Sequence, residues 1–253
     1  STLTNLTNTG IISGTADDDS GYGVNVQVAS TLTNLTNSGT ISGTAVDDGG
    51  YGVKVDASTL TNLTNSGTIS GTTTNLGLGL YVDNSTLTNL TNSGTISGTA
   101  TTRNGFGAVL GDNSTLTNLT NTGTISGTAD AAGLGVLLTD NTTLTNLTNS
   151  GTISGTAGDD VGYGVNVSSS STLTNLVNTG TISGTAGDIV GYGVNVSSSS
   201  TLTNLTNTGT ITGTATTSAF DIKVGSASNL VNLNNLQSDL SYNGRLPRNY
   251  KTI

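Results

Sequence analysis

Short runs of aspartate are the strongest candidates in this sequence for a catalytic or metal-binding site. Adjacent carboxylates can share acid and base roles in polysaccharide cleavage, and their oxygens suit Ca²⁺. The chain has no His, Cys or Glu to complete such a site. We therefore predict solvated turn residues, no bound metal or cofactor, no catalytic residue and no enzymatic activity. The runs are Asp17-Asp18-Asp19, Asp47-Asp48 and Asp159-Asp160, and corresponding segments carry Thr73-Thr74 or Ala131-Ala132 instead.

A regular set of hydroxyl side chains is the second candidate for function. In the segment 40–45 apolar and hydroxyl residues alternate, so that if Ile41 and Ala45 point inward the hydroxyl residues point outward. Stacked copies would form an uncharged grid, with roughly 7 Å along each strand and roughly 4.8 Å between strands. The candidate binding surface comprises Thr40, Ser42, Thr44, Thr68, Ser70, Thr72, Thr95, Ser97, Thr99, Thr124, Ser126, Thr128, Thr152, Ser154, Thr156, Thr181, Ser183 and Thr185, continued by Thr210, Thr212 and Thr214.

This Thr/Ser grid resembles the flat Thr-rich faces of ice-binding proteins, where ordered hydroxyl and methyl groups anchor ice-like water. Three other interpretations stay open. Thr and Ser suit any exposed β-face, and the same face could contact carbohydrate or support lateral self-association. Carbohydrate contact is the weaker of these, because we place most Tyr and Phe side chains in the interior and expect no aromatic platform.

A sixteen-residue stretch, 30–45, is repeated almost letter for letter and must position these residues. Eight copies begin at Ser1, Ser30, Ser58, Ser85, Ser114, Thr142, Ser171 and Ser200, and a degenerate ninth begins at Ser228. A fixed period of 27 to 29 residues is typical of a stacked repeat protein, which grows by adding units rather than by enlarging one core.

Each repeat contains three short segments with the period-two pattern of a β-strand. In the second copy they span 31–35, 40–45 and 51–55. This predicts an all-β, single-stranded, right-handed parallel β-helix with about one coil per repeat. We expect Asn34, Asn37 and Gly39 at the corners in left-handed conformations. An alternative divides each repeat into two smaller coils.

We place the length differences between the repeats in the loop between the second and third strands. We expect this loop to lie on the surface. An apolar column follows it and is predicted to form an interior ladder that helps to fix the register. Its members are Tyr22, Tyr51, Leu78, Phe106, Leu134, Tyr163, Tyr192 and Phe220.

Asparagine returns at the positions of Asn34 and Asn37 in almost every copy. Stacked side-chain amides can hydrogen-bond from coil to coil. The same Asn-Leu-Thr sequence also fits an N-glycosylation acceptor. Because an amide held in a ladder cannot accept a glycan, the two interpretations exclude each other, and we favour the ladder.

The composition narrows the possible partners. A net charge of −9 argues against a nucleic-acid partner and against docking to anionic lipid. The absence of Cys excludes a disulfide scaffold, and no apolar run is long enough to insert into a membrane. The sequence opens inside a repeat, so we expect it to be cut from a longer precursor.

The C-terminal tail abandons the repeat and carries Arg245, Pro247, Arg248 and Lys251. We divide the chain into a β-solenoid at 1–236 and a C-terminal cap, or junction to a following domain, at 237–253. An end coil needs such cover because an open sheet edge promotes aggregation.

The Gly-Thr-Ile-Ser-Gly-Thr and Leu-Thr-Asn-Leu-Thr-Asn repeats, together with the tail 240–253, resemble the β-helical passenger regions of bacterial autotransporters and related surface adhesins. The resemblance implies a secreted protein or one on the outer surface of a Gram-negative bacterium. It implies a structural or adhesive stalk as the function, with a host or bacterial surface receptor, a glycan or further copies of the chain as partner.

Overall fold

The computed structural model describes residues 1–252 and is all-β, with no helix in that range. It contains twenty-seven strands, three for almost every repeat. In chain order they are β1 (Thr2–Asn8), β2 (Ile11–Ala16), β3 (Gly21–Gln27), β4 (Thr31–Asn37), β5 (Thr40–Ala45), β6 (Gly49–Asp56), β7 (Thr59–Asn65), β8 (Thr68–Thr73), β9 (Leu76–Asp83), β10 (Thr86–Asn92), β11 (Thr95–Ala100), β12 (Asn104–Gly111), β13 (Thr115–Asn121), β14 (Thr124–Ala129), β15 (Ala132–Leu138), β16 (Thr143–Asn149), β17 (Thr152–Ala157), β18 (Val161–Val167), β19 (Thr172–Asn178), β20 (Thr181–Ala186), β21 (Val190–Val196), β22 (Thr201–Asn207), β23 (Thr210–Thr214), β24 (Ser218–Val224), β25 (Asn229–Asn235), β26 (Tyr242–Asn243) and β27 (Asn249–Thr252).

The strands form three parallel sheets that run along the whole rod. Each repeat contributes one strand to each sheet, so the first sheet runs from β1 through β4 to β27, the second from β2 through β5 to β23, and the third from β3 through β6 to β26. Equivalent residues pair in register, as Ile96 does with Ile125. The β-solenoid with one coil per repeat is therefore confirmed and the two-coil alternative is wrong, whereas the right-handed sense stays a prediction.

The core is a set of aliphatic ladders in the centre of the coils. In the second coil Leu32, Leu35, Ile41, Val53 and Val55 are at most 3% exposed, and their counterparts extend the same cluster along the rod. Because near-identical repeats stack in register, each buried side chain packs against a like one above and below. The same packing arrangement therefore fills the interior of every coil.

The first strand of each coil is longer than predicted and bends in the middle. It continues to Asn37, and its buried residues Leu32 and Leu35 are three apart. Strict alternation would need them two or four apart. Thr33, which lies between them, has no partner in the pairing of β4 with β7. The bend turns Thr33 and Asn34 outward and lets Asn37 point inward.

The predicted left-handed corners at Asn34, Asn37 and Gly39 are wrong. Asn34 and Asn37 lie within β4, and none of the three has a positive φ. Positive φ values instead recur at the corner that precedes the first strand, at Ala57 (46°) and Asn84 (45°) for example. This corner has one such residue in some coils and two in others, as at Asp112 and Asn113, so the prediction that the repeats vary in length only between the second and third strands is wrong. The side-chain amide of Asn37 supports its corner, so the backbone there need not adopt the left-handed conformation.

The predicted interior position of the aromatic and aliphatic column is also wrong, although its register is correct. A Cβ built on Gly52 would lie 2.7 Å from Cγ2 of Ile69 in the core, so Gly52 faces inward. Val53 is also buried, and the pairing of β6 with β9 skips Gly52. Because Gly52 and Val53 both face inward, the alternation along β6 is interrupted there. The side chains of Tyr51 and Lys54 therefore lie on the outer side of the third sheet.

The second and third sheets approach each other backbone to backbone along a glycine seam. A Cβ on Gly127 would lie 2.0 Å from the carbonyl oxygen of Leu134, and one on Gly133 would lie 1.9 Å from that of Thr156. No side chain fits these spaces. The seam consists of Gly14, Gly43, Gly71, Gly98, Gly127, Gly155, Gly184 and Gly213 in the second sheet and Gly21, Gly50, Gly77, Gly105, Gly133, Gly162 and Gly191 in the third.

The tail covers the last complete coil. β26 pairs with β24 and β27 pairs with β25, while a side chain closes the second sheet. Nε2 of Gln237 donates to the carbonyl of Ile211 (3.0 Å), and Oε1 of Gln237 accepts from the same residue's N–H (2.8 Å). The amide thus replaces a missing strand. The boundary between 236 and 237 stays a prediction, and residue 253 lies outside the described part.

Candidate functional surfaces

The Thr/Ser grid lies on the outer face of the second sheet. In β5 Ile41, Gly43 and Ala45 are buried, Thr40 and Ser42 are half-buried, and Thr44 is exposed. The equivalent strands from β8 to β20 share this pattern, whereas β2 and β23 at the ends of the sheet are more exposed. Like residues pair from coil to coil, as Thr95, Ser97 and Thr99 of β11 do with their counterparts in β14. The structure therefore brings the sequence-predicted residues onto one face in the expected rows.

The aspartate runs do not form a site. Asp17 to Asp19, Asp47 and Asp48 are exposed in the variable loops. Within residues 1–252 no group of three acidic side chains is placed to hold a metal ion. No helix in that range is long and apolar enough to cross a membrane. The absence of catalytic activity stays a prediction.

Two asparagine ladders run the length of the first sheet. The inner ladder is fully buried at Asn121, whose Nδ2 lies 2.8 Å from Oδ1 of Asn149 and 3.0 Å from the carbonyl oxygen of Thr152. The outer ladder is half-buried, and Nδ2 of Asn34 donates to Oδ1 of Asn5 at 2.7 Å. The Asn-Leu-Thr asparagines belong to this outer ladder. Their amides are used between coils, as the ladder interpretation predicts.

The outer face of the third sheet carries an aromatic strip that the sequence analysis missed. Tyr22 stacks on Tyr51 with ring centroids 5.1 Å apart. The Lys54 ammonium lies 5.5 to 5.9 Å from the ring centroids of Tyr22, Tyr51 and Tyr81 and pairs with Asp56 at 3.2 Å. Further along the rod the same columns hold Phe106, Val109, Leu134, Leu137, Tyr163 and Tyr192.

Burial on this face shifts the pKa of several groups. Desolvation, with smaller contributions from Tyr22 and Asp48, raises the pKa of Tyr51 to about 12. Desolvation and the Tyr192 hydroxyl raise the pKa of Tyr163 to about 12. Tyr hydroxyls with such raised values stay neutral at physiological pH, so the strip presents rings and neutral hydroxyl groups.

A groove of about 220 Å³ opens in the strip across its middle coils. Its floor is apolar, its rim is acidic, and the residues that line it are Tyr51, Leu76, Leu78, Tyr81, Asp83, Phe106, Val109, Gly111, Asp112, Leu137, Thr139 and Asp140. We call it the strip groove. A Cβ added to Gly111 would lie 3.0 Å from Oδ1 of Asp83 and 3.5 Å from the Tyr81 hydroxyl, so this glycine leaves the space open.

Asp83 is the unusual group of the strip groove. Its Oδ1 is buried and has no hydrogen-bond partner among the described residues. Desolvation raises the pKa of Asp83. A hydrogen bond from the Tyr81 hydroxyl to its carboxylate and the charge of Lys54 oppose part of that rise, and Asp112 and Asp56 add to it. A buried acceptor without a donor is costly. The geometry therefore leaves a hydrogen-bonding position that a ligand could fill.

Comparisons with known proteins add no relative. A scan against protein families, a search of curated proteins and a search of solved structures each find no match to this chain. The fold defines the class of the chain as a parallel β-solenoid repeat protein.

Proposed function

We propose that the chain is a non-enzymatic stalk or fibre segment of a secreted or surface-displayed bacterial protein, related to autotransporter passengers and adhesins. The observation that carries the proposal is the unbroken pairing of all three sheets from the first repeat to the last. Every coil is joined to the next by backbone bonds, buried amides and aliphatic ladders. Such a rod is stiff, and at ~4.8 Å per coil eight coils give a length of roughly 40 Å.

The adhesive part of the proposal is supported by where the coils differ. The first and second sheets repeat almost unchanged, whereas the variable loops and the outer face of the third sheet change from coil to coil. Surface loops and exposed aromatic side chains commonly bind partners on a rigid scaffold. The partner would be a receptor, a glycan or another copy of the chain.

The proposed location is tested on intact cells of the organism that makes the protein. Antibodies raised against the purified chain should label unpermeabilised cells, while an antibody to a cytoplasmic protein should label them only after permeabilisation. Signal that appears only in permeabilised cells would contradict surface display. A signal confined to the culture medium would identify secretion instead.

Ice binding through the Thr/Ser grid is the second candidate. It is favoured by the register of the grid, in which Thr lies beside Thr and Ser beside Ser across consecutive coils. Thermal hysteresis and ice-crystal shaping should be lost when Lys replaces Thr at 99, 128 and 156. A matched control places Lys at Thr91, Thr120 and Thr148 on the outer face of the first sheet in the same coils.

The outcome separates the two candidates. Shaping by the parent protein and by the control variant, but not by the grid variant, would make the grid the active surface. No shaping by the parent protein removes the ice-binding candidate. Equal shaping by both variants would also contradict it, because the activity would not depend on the grid.

A further inference from the structure

We propose that the strip groove binds a glycan that carries free amino groups. The ligand would lay the C–H face of a sugar ring on the apolar floor and direct its amine and hydroxyl groups to the acidic rim. The inference deepens the adhesive part of the proposed function by naming a site and a ligand class. It needs the groove to be exposed on the rod, and it does not depend on cell-surface location.

The floor of the groove is suited to a sugar ring. Tyr81 and Phe106 are half-buried and Val109 is only 3% exposed, so the surface is apolar and held in place by its neighbours. Aromatic side chains offer large contact area at little entropic cost. The volume of about 220 Å³ is below the size typical of pockets for drug-like molecules and matches a small unit such as one sugar residue.

The rim supplies hydrogen-bond acceptors and negative charge. Asp83, Asp112 and Asp140 line the groove together with the hydroxyl of Thr139, and the lining includes no Lys or Arg among the described residues. Because the rim has several acceptors, it suits a ligand with several hydroxyl donors better than a ligand whose only donor is one ammonium group. Oδ1 of Asp83 is buried and has no donor among the described residues, and a turn of the carboxylate toward the groove would let such a ligand supply one.

The position of a lysine on the aromatic strip supports the preference for an amine. At one end of the groove, the Lys54 ammonium lies over the rings of Tyr51 and Tyr81, which line the groove, and pairs with Asp56. Tyr81 takes the place of Lys54 in the next coil, and Asp83 takes the place of Asp56. The groove thus keeps the carboxylate but has a ring where the ammonium stands in the preceding coil, and its Phe106 ring has no cation over it among the described residues. An ammonium group over an aromatic face is attracted by its quadrupole.

The negative charge of the groove also disfavours anionic glycans. The chain has a net charge of −9, and the three rim carboxylates would repel uronic or sialic acid groups. A neutral glycan could stack on the floor but would place no positive charge beside the rim carboxylates. We therefore expect affinity to fall from chitosan oligomers to chitin oligomers, and to be least for galacturonate oligomers.

Isothermal titration calorimetry of the whole chain tests the proposal with these three probes and with a lysine oligopeptide. The Asp83→Asn variant removes a rim charge and should bind the chitosan oligomer about tenfold more weakly. Tyr81→Ala removes a ring and should have a similar effect. Gly111→Thr copies the residue of the next coil, Thr139, and should weaken binding by filling the groove.

The control variant is Tyr192→Ala, which removes a ring from the same strip outside the groove and should change affinity less than about twofold. Far-ultraviolet circular dichroism confirms the fold of each variant, and Asp83→Asn and Gly111→Thr still test the site if Tyr81→Ala misfolds. The proposal is overturned if the chitosan oligomer does not bind, if the groove variants bind as the parent does, or if the chitin oligomer or the lysine peptide binds more tightly. Each of these results leaves the cell-labelling test of the stalk unaffected.

Discussion

The outer faces of the second and third sheets lie on opposite sides of the glycine seam. The first of these faces carries Thr and Ser hydroxyls, and the other carries aromatic and aliphatic side chains. The Thr/Ser grid is nearly identical in every coil and is half to fully exposed. The aromatic strip changes from coil to coil, yet several of its side chains, such as Leu78 (2%) and Leu134 (4%), are almost fully covered. We therefore expect burial, rather than regular repetition in the sequence, to indicate which side chains stabilise the fold.

The seam that joins the two faces should be the most sensitive part of the chain. In Gly127→Ala the new methyl group would lie 2.0 Å from the carbonyl oxygen of Leu134 and 2.2 Å from that of Gly105. Neither backbone can move without breaking its sheet, so we expect a loss of at least about 4 kcal/mol. Chemical denaturation and hydrogen exchange of the central coils measure it.

Gly10→Ala is the matched control for the seam, because nothing lies within 4 Å of a Cβ at Gly10. Its effect should be below about 1 kcal/mol. Similar losses in the two variants would mean that the seam is not a close backbone contact. The two sheets would then be farther apart than the structure shows.

The two asparagine ladders test whether repetition or burial decides stability, since both recur in every coil. Asn121→Ala removes a buried amide, which leaves Oδ1 of Asn149 without its donor and Nδ2 of Asn92 without one of its acceptors. We expect a loss of about 3 kcal/mol, against less than about 1 kcal/mol for the half-exposed Asn118→Ala. Equal losses, measured by urea denaturation, would show that position in a ladder matters more than burial.

A direct comparison of the two faces uses one substitution on each in the same coil. Leu134→Ala in the strip should cost about 2 kcal/mol, because the side chain is only 4% exposed. Thr128→Ala in the grid, where the side chain is exposed, should change stability by less than about 0.5 kcal/mol. A larger loss in the grid variant would reverse the conclusion that the grid contributes little to the fold.

Much of this architecture was predictable from the sequence. The second strand was predicted with its observed limits, because Thr40–Ala45 keeps strict alternation. The register followed from repetition, and the ladders followed from the recurring asparagines. The outward position of the Tyr51 side chain was not predictable. Strict alternation places Tyr51, Val53 and Val55 on the same face of the strand, and this alternation is interrupted only because Gly52 is unpaired.

The strip groove was missed for the same reason. Once the aromatic column was placed inside, no aromatic surface remained for a ligand, and Asp83 could not be related to Tyr81. The left-handed corner at Ala57 and Asn84 was missed because neither Ala nor Ser, which occupy it in several coils, is a strong signal for that conformation.

The smallest predicted difference between the faces is their response to alkaline pH. The pKa of Tyr51 and of Tyr163 is raised to about 12 by burial, from an ordinary value of 10.0. Between these values the unfolded chain releases its tyrosine protons and the folded chain keeps them, so stability falls as pH rises through this window. Below pH 10 this contribution is constant.

The grid has no group that titrates in this range, which makes the comparison specific. Thermal unfolding from pH 9 to pH 12 should show a smaller decrease in Tm when Tyr51 and Tyr163 are both changed to Phe than in the parent protein. Thr128→Val and Thr156→Val in the grid should leave the slope unchanged. An unchanged slope in the Phe variant would mean that these hydroxyls are solvated as freely as in the unfolded chain, and the strip would then be an open surface like the grid.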